Sequence, residues 1–286
     1  MWARQRPVSG EISQRRGNPL SSRTLTRPLL TATCVGLAMI WTTAAAWAGG
    51  GTQVDAAPKG REQSRVLGTP TLTKEQRATL ARKDKAITTP RSRLATQSAA
   101  VTHKSLKLVR QQPQLRSYWC GPATLASLVQ ADKVEISQAS AAKSLKTTTN
   151  GTDWYQGTSG GYPMQKALDR YAPEGIAFSP VNLPDGPTKA QKLAYKKRLV
   201  ANISTYGQGI AGNAVEVPNG PHLNGHPNRT IYHWVAVRGY DDGGETTRYA
   251  DSVAGSSISW AAPVPRYNEI DSDTIMRIFG ARGYIW

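Results

Sequence analysis

The sequence predicts an α+β fold for residues 109–286, in which N-terminal helices pack on an antiparallel sheet. Two observations carry this prediction. Apolar residues recur at helical spacing up to about residue 206, whereas short stretches rich in Val, Ile and Tyr follow from residue 209. Helices that precede the strands, instead of alternating with them, are typical of α+β domains with an antiparallel sheet.

Four helices are expected in the first part of this region. The first begins near residue 118, because Pro122 fits a first helical turn and Leu125 and Leu128 follow at helical spacing. The last is amphipathic, with a Lys-rich outer face. The predicted ranges are 118–130, 135–145, 162–171 and 188–206, with a Gly-rich loop over 150–161.

Three strands are expected after these helices, over residues 209–217, 232–240 and 247–251. The sequence Asp242-Gly243-Gly244 between the last two strands favours a hairpin turn. These two strands are therefore predicted to be antiparallel neighbours, so that the start of one lies close to the end of the other.

The N-terminal third differs in charge from the rest of the chain. Residues 1–109 carry 18 Lys and Arg against 5 Asp and Glu, whereas residues 110–286 carry 18 against 14. The basic excess therefore belongs to an expected leader and linker, which weighs against a nucleic-acid-binding function.

Residues 1–48 are typical of an export signal. Six arginines precede an uncharged apolar run over 29–48, which ends in the small-x-small pattern Ala46-Trp47-Ala48. The run is also long enough to serve as a membrane anchor. In both cases the basic residues before it place the remainder outside the cytoplasm. We expect a secreted or extracytoplasmic protein, either released or held at the membrane or cell wall, that touches the membrane only through this leader.

Residues 49–108 are poor in aromatic residues and rich in small polar and basic ones. Such a segment buries too little apolar surface to offset the entropy of ordering. It is therefore predicted to be a disordered basic linker or a removable pro-segment, with one short helix from about residue 73 to residue 85.

Cys120 is the strongest candidate for a catalytic residue. The other cysteine, Cys34, lies in the apolar leader, so an exported mature chain keeps Cys120 as its single thiol. Unpaired backbone N–H groups and the positive end of the helix dipole favour a thiolate at the start of a predicted helix. Gly121 leaves space beside the sulfur for a substrate carbonyl. The alternative is that Cys120 is a small buried apolar residue.

His233, Asp251 and Gln114 are the candidate partners of this thiol. His233 begins an apolar strand, and Asp251 ends the neighbouring strand, where its carboxylate can orient the imidazole. Gln114, six residues before Cys120, can donate a hydrogen bond to an oxyanion. The structural alternatives are a core histidine, a carboxylate that ends a strand and a surface glutamine.

Other residues compete less well for these roles. His222 and His226 lie in a loop rich in Pro, Asn and Gly, where histidines are usually solvated. Asp241 and Asp242 fall in the predicted turn, away from His233. No spacing of His and Cys indicates a zinc site, so we expect neither a metal nor another cofactor.

In their order along the chain these residues resemble the motifs of papain-like cysteine peptidases. The likeness is greatest to the bacteriocin-processing peptidases, which cleave after double-glycine leaders, and to their secreted relatives. It covers about residues 110–286 and rests on Gln114 followed by Trp119-Cys120-Gly121-Pro122-Ala123, on His233-Trp234-Val235-Ala236-Val237-Arg238-Gly239-Tyr240-Asp241 and on Tyr249-Ala250-Asp251.

The resemblance implies a papain-like fold and a role for each motif residue. The implied roles are nucleophile for Cys120, general base and acid for His233, orienting carboxylate for Asp251, oxyanion donor for Gln114, and substrate contacts for Trp119, Gly121 and Trp234.

The sequence therefore predicts a secreted, monomeric cysteine peptidase that hydrolyses amide bonds of a peptide or protein substrate through an acyl-enzyme. Two alternatives stay open. One is a non-catalytic module of the same fold, whose 8 Trp and 11 Tyr supply groove-lining residues for a peptide or glycan. The other is a cell-wall amidase or transpeptidase with the same Cys-His chemistry.

Overall fold

The computed structural model describes residues 70–88 and 102–286. The predicted leader with its cleavage site and Cys34 lies outside these ranges, as does much of the predicted linker. Among the helices of the described ranges, none has both the length and the apolar character that crossing a membrane requires.

The described helices are α1 Lys74–Thr88, α2 Cys120–Leu128, α3 Gln138–Leu145, α4 Gly157–Gly160, α5 Pro163–Tyr171, α6 Lys189–Ser204 and α7 Ser272–Ile278. Several begin at a side-chain cap. Thr188 caps α6 through a reciprocal pair of hydrogen bonds with Gln191. Helix α3 starts three residues later than predicted, because the Ser137 hydroxyl accepts a hydrogen bond from Ser140 N–H at 3.1 Å and sets its first turn there.

The described strands are β1 Lys104–Ser105, β2 Pro180–Asn182, β3 Ile210–Glu216, β4 Ile231–Asp241, β5 Thr246–Ala250, β6 Tyr267–Asp271 and β7 Gly283–Ile285. They form one antiparallel sheet in the order β2-β7-β3-β4-β5-β6, and β1 pairs with β4. The turn between β4 and β5 is built on Asp242–Gly244, with positive φ at all three residues. The predicted hairpin is confirmed.

Alternate residues of β4 face two separate apolar clusters. Trp234 and Ala236 belong to a cluster that includes residues of α2, α3 and α5. Val235 and Val237 belong to a second cluster that includes residues of α6 and α7. Helices therefore cover both faces of the sheet at β4, which confirms the predicted α+β class.

The folded region starts before the predicted boundary at residue 109. Lys104 and Ser105 pair with Tyr240 and Gly239 of β4, and Leu106 N–H donates to Arg238 O at 2.8 Å. A two-residue strand is too short to show the alternation by which longer strands are predicted.

Helix α1 packs on the rest of the domain through polar side chains. Asp84 accepts hydrogen bonds from Arg198 Nε at 2.8 Å and from Arg198 Nη2 at 2.6 Å. Lys83 Nζ donates to Ala177 O at 2.9 Å. Burial lowers the pKa of Lys83 to about 7, against the opposing effect of the Asp169 carboxylate. The short helix predicted within the linker from about residue 73 to residue 85 is therefore confirmed as α1, and it packs on the domain.

Candidate active site

Cys120 is the first residue of α2, and only 3% of it is exposed. It is a thiol and not part of a disulfide. Every residue of α2 is buried, and Thr124 Oγ1 donates to Trp234 O at 3.0 Å. This contact joins the helix that begins with the thiol to the strand that carries His233.

His233 lies on β4 and connects the thiol to a carboxylate. His233 Nε2–H donates to Asp251 Oδ1 at 2.9 Å, and both side chains are buried. The thiol of Cys120 is hydrogen-bonded to His233. Since Asp251 occupies Nε2, we assign Nδ1 as the ring nitrogen that serves the sulfur. Thiol, imidazole and carboxylate thus form one continuous chain.

The charges within this hydrogen-bonded chain of Cys120, His233 and Asp251 favour a protonated imidazole. Burial acts to lower the pKa of His233, but the Asp251 carboxylate and the hydrogen bonds to Asp251 and Cys120 outweigh it and raise the pKa to about 10. Burial acts to raise the pKa of Asp251, but His233 and His226 outweigh it and hold that pKa well below its ordinary value. The carboxylate is therefore ionised at neutral pH, and the imidazole of His233 is protonated on both nitrogens.

A second histidine reaches the other oxygen of the same carboxylate. His226 Nε2 lies 3.0 Å from Asp251 Oδ2, and His226 Nδ1 lies 2.8 Å from Glu216 Oε1. All three side chains are completely buried. Burial acts to lower the pKa of His226, but the hydrogen bonds to Asp251 and Glu216 outweigh it and raise that pKa. The prediction that His226 is a solvated loop residue is therefore wrong.

The loop before α2 is tied to the loop after Asp251 by two glutamines. Gln114 N–H donates to Ser252 O at 2.8 Å, and Gln114 Oε1 accepts from Ser252 Oγ at 3.1 Å. Gln111 Nε2 donates to Asp251 O and to Ala254 O, both at 2.8 Å. These contacts hold the segment leading to Cys120 against the segment that carries the carboxylate.

A sequence model of the peptidase C39-like family matches residues 104–272. The chain belongs to this family. Among solved structures, it is similar to the peptidase domain of Streptococcus ComA, described as a bifunctional ABC transporter involved in a quorum sensing pathway. The two chains are 16% identical, the match covers 62% of this chain and 96% of that one, and the TM-score is 0.37. A search of curated proteins gave no match.

Membership of the peptidase C39-like family confirms the predicted relationship to bacteriocin-processing, papain-like peptidases and supports a peptidase. The helices and antiparallel sheet described above agree with the papain-like fold that this membership implies. Of the predicted site residues, the structure brings Cys120, His233 and Asp251 into one hydrogen-bonded chain. Their catalytic roles remain predictions.

Gln114 lies beside this chain, but its amide is engaged elsewhere. Gln114 Nε2 donates to Arg116 O and to Ser117 O, both at 2.9 Å. These bonds use both amide hydrogens and shape the turn that leads into α2. Its predicted donation to an oxyanion requires at least one of them to be exchanged when substrate binds, and it remains a prediction.

The predicted substrate contact of Trp234 is wrong. Trp234 is 0% exposed, its ring centroid lies 5.7 Å from that of Trp154, and its Nε1–H donates to Thr152 O at 3.1 Å. It is a core residue, since it points to the face of β4 opposite to that of His233. Trp119 is half-buried at the start of α2, where a substrate contact remains a prediction.

Gly121 is explained by its contact with Thr152. A Cβ added at Gly121 would lie 2.3 Å from Thr152 Oγ1, which is itself 2.7 Å from Thr147 Oγ1. The space predicted for a substrate carbonyl on this side is therefore filled by a side chain, and any substrate contact must involve another side of the glycine.

Gly121→Ala is expected to destabilise the domain by about 1–3 kcal/mol, because the added methyl group overpacks a fully buried site. Urea unfolding of the variant measures this loss. Gly186→Ala is the matched control, since an added Cβ there meets nothing within 4 Å. Equal unfolding midpoints for the two variants would show that Thr152 moves aside freely.

His226, His233 and Asp251 are also close enough to share a metal ion, since one ligand atom of each lies within 4.8 Å of the others. Hydrogen bonds account for this proximity, because each imidazole binds a different oxygen of the carboxylate through Nε2. His233 is in addition hydrogen-bonded to Cys120. The cluster is therefore a hydrogen-bonded chain of side chains that ends at the thiol of Cys120.

Proposed function

We propose that this chain is a cysteine peptidase that hydrolyses amide bonds through Cys120, His233 and Asp251. One observation supports this most directly: a buried thiol at a helix N-terminus is hydrogen-bonded to an imidazole that an ionised carboxylate orients. A module that only binds peptides or glycans has no need of this arrangement.

The reaction begins with a proton held by His233 and a thiolate on Cys120. The sulfur attacks the amide carbonyl carbon, and a C–S bond forms as the carbonyl oxygen becomes an oxyanion. His233 then donates its Nδ1 proton to the leaving nitrogen, the C–N bond breaks, and an acyl-enzyme remains. Asp251 keeps Nε2–H in place throughout and does not itself take up the proton.

Deacylation uses the same groups, but His233 now accepts a proton first and does not donate one. The neutral imidazole of His233 accepts a proton from water at Nδ1, and the resulting hydroxide attacks the acyl carbon. The C–O bond forms, the C–S bond breaks, and Cys120 leaves as the thiolate beside the imidazolium. The net change is the addition of one water molecule across the amide bond.

We also propose a cellular location and a substrate class for this activity. The basic, apolar leader supports an extracytoplasmic site of action, where we propose that a monomer cleaves a peptide or protein substrate. The near-balanced charge of residues 110–286 supports a protein substrate and not a nucleic acid.

The pH dependence of alkylation by iodoacetamide tests the proposed thiolate. The measurement uses the full chain with Cys34→Ser, so that Cys120 is its one thiol. An unperturbed thiol reacts mainly above pH ~8.5. We expect labelling already at roughly pH 5–6, because the imidazolium of His233 stabilises the thiolate.

His233→Ala in the same background is the matched variant. Its labelling should rise only toward alkaline pH, since the counter-charge is gone. Identical profiles for the two proteins, both rising only above about pH 8, would contradict the proposal and favour the binding module.

A further inference from the structure

We infer that His226, clamped by Glu216, is a positioning residue that fixes Asp251 for its work on His233. The inference rests on the proposed function and extends the catalytic chain by two buried residues. The complete sequence of contacts runs from Cys120 through His233, Asp251 and His226 to Glu216.

The first support is the assignment of each carboxylate oxygen. Asp251 Oδ1 accepts from His233 Nε2 at 2.9 Å and from Val253 N–H at 2.9 Å. Asp251 Oδ2 is 3.0 Å from His226 Nε2. With donors on both oxygens the carboxylate cannot rotate about its terminal bond without losing a hydrogen bond in a fully buried site. His226 therefore helps to fix the plane of the carboxylate, so that one oxygen stays directed at His233 Nε2.

The second support is a count of protons. Both nitrogens of His226 face carboxylates, and an ionised carboxylate only accepts hydrogen bonds. One proton must therefore be present in addition to that of a neutral imidazole, in agreement with the raised pKa of His226. This proton offsets one of two negative charges that burial would otherwise make very costly.

The third support is that His226 has no other chemical task in the described structure. Its two nitrogens are used by Glu216 and Asp251, so neither is available to the thiol. Its ring is held by Trp260, whose centroid lies 4.8 Å away in an edge-to-face arrangement. Glu216 ends β3, two residues from Ala214, which pairs with His233. Glu216 thus lies on the strand that pairs with β4, which carries the base, and His226 lies in the loop that joins these two strands.

The experiment compares His226→Ala with His222→Ala, both in the full chain with Cys34→Ser. His222 is a matched control because it lies in the same loop, and its two ring nitrogens lie within hydrogen-bond distance of the backbone carbonyls of Gly220 and Arg229 and not of a carboxylate. The first readout is the imidazole N–H signal of His233 in nitrogen-15 histidine NMR, which reports its hydrogen bond to Asp251 without any substrate. The second is the alkylation rate of Cys120 at pH 6 relative to pH 9.

We expect His226→Ala to broaden or lose the His233 N–H signal and to lower the alkylation ratio about tenfold. His222→Ala should retain the signal and change the ratio less than about twofold. If His226→Ala retains both the signal and the ratio, or if His222→Ala loses them equally, the positioning role is overturned.

A second variant covers the case in which His226→Ala does not fold. Glu216→Gln keeps the shape and one acceptor oxygen but removes the charge, and we expect the alkylation ratio to fall about threefold. If Glu216→Gln changes neither the alkylation ratio nor the His226 N–H signals, the proposed role of Glu216 in holding His226 is overturned. If the wild-type protein shows the His233 N–H signal but Cys120 is not alkylated at pH 6, the proposed function is contradicted. The proposed positioning of Asp251 is not contradicted by that result.

Discussion

Cys120→Ala is expected to abolish hydrolysis and covalent labelling by a peptide-like electrophile, such as a biotinylated peptidyl acyloxymethyl ketone. The sulfur is the atom that forms the acyl-enzyme, and an alanine methyl group has no lone pair with which to replace it. Removal of the nucleophile from a triad hydrolase lowers turnover by on the order of 10⁶-fold. Labelling is measured by blotting and by the mass of the modified peptide.

The controls separate the chemistry of Cys120 from its contribution to packing. Cys34→Ser should label as strongly as the wild type, because Cys34 has no predicted catalytic role. Cys120→Ser keeps nearly the same volume and a hydrogen-bonding group beside His233, and it should give the wild-type far-UV circular dichroism spectrum while remaining unlabelled. A label that persists on Cys120→Ala would disprove the assignment of this thiol as the nucleophile.

Asp251→Asn is expected to have the largest combined effect on stability and on the thiolate. Asp251 is 0% exposed and joins two imidazoles. The side-chain amide of the variant can accept a hydrogen bond from one imidazole through its oxygen. Its NH2 group then faces the N–H of the other imidazole, so the second hydrogen bond is lost and two donors are left in contact. Breaking one partner of a buried ion pair costs about 3–5 kcal/mol. Denaturant unfolding measures this loss, and alkylation at pH 6 should fall with it.

The pH dependence of unfolding gives the same prediction an independent signature. The pKa of His233 is raised from 6.5 to about 10 in the folded protein. A raised pKa contributes stability that is complete below pH 6.5 and disappears as the pH rises toward 10. The wild-type free energy of unfolding should therefore decline across this window. The decline should be shallower in Asp251→Asn, because the carboxylate that raises this pKa is gone.

Asp242→Asn is the matched control for this substitution. Asp242 is exposed in the turn between β4 and β5 with a φ of 48°, a conformation that asparagine tolerates well. Its stability and its alkylation profile should stay at the wild-type values. A loss of stability in Asp242→Asn comparable to that in Asp251→Asn would show that the effect of the latter is not specific to the buried carboxylate.

The parts of the site that could be predicted are those that local sequence patterns encode. Pro122 and the apolar residues after it predict the helix that begins at Cys120. The Asp-Gly-Gly turn makes β4 and β5 neighbours, and this pairing brings His233 and Asp251 within hydrogen-bond distance. In both cases a few adjacent residues determine the geometry.

The parts that could not be predicted depend on contacts between distant segments. His226 lies in a loop whose composition indicates exposure, and its burial requires both Glu216 and Trp260. One signal was available: Glu216 shares a strand face with the core residue Ala214, where a carboxylate needs a partner. Trp234 follows a predicted site residue in the sequence, but strand alternation turns it to the opposite face.

The position of β7 has a consequence for the order of events during synthesis. Strand β7 lies between β2 and β3, so residues translated after those of both neighbours occupy an interior place in the sheet. Contacts of such long sequence separation form slowly. Until Gly283–Ile285 leave the ribosome, β2 has no partner among the described strands, and residues 211–213 of β3 lack their partner on that side. A nascent chain therefore contains Cys120, His226, His233 and Asp251 before the sheet is complete. Assembly of the domain is delayed until translation has passed residue 285.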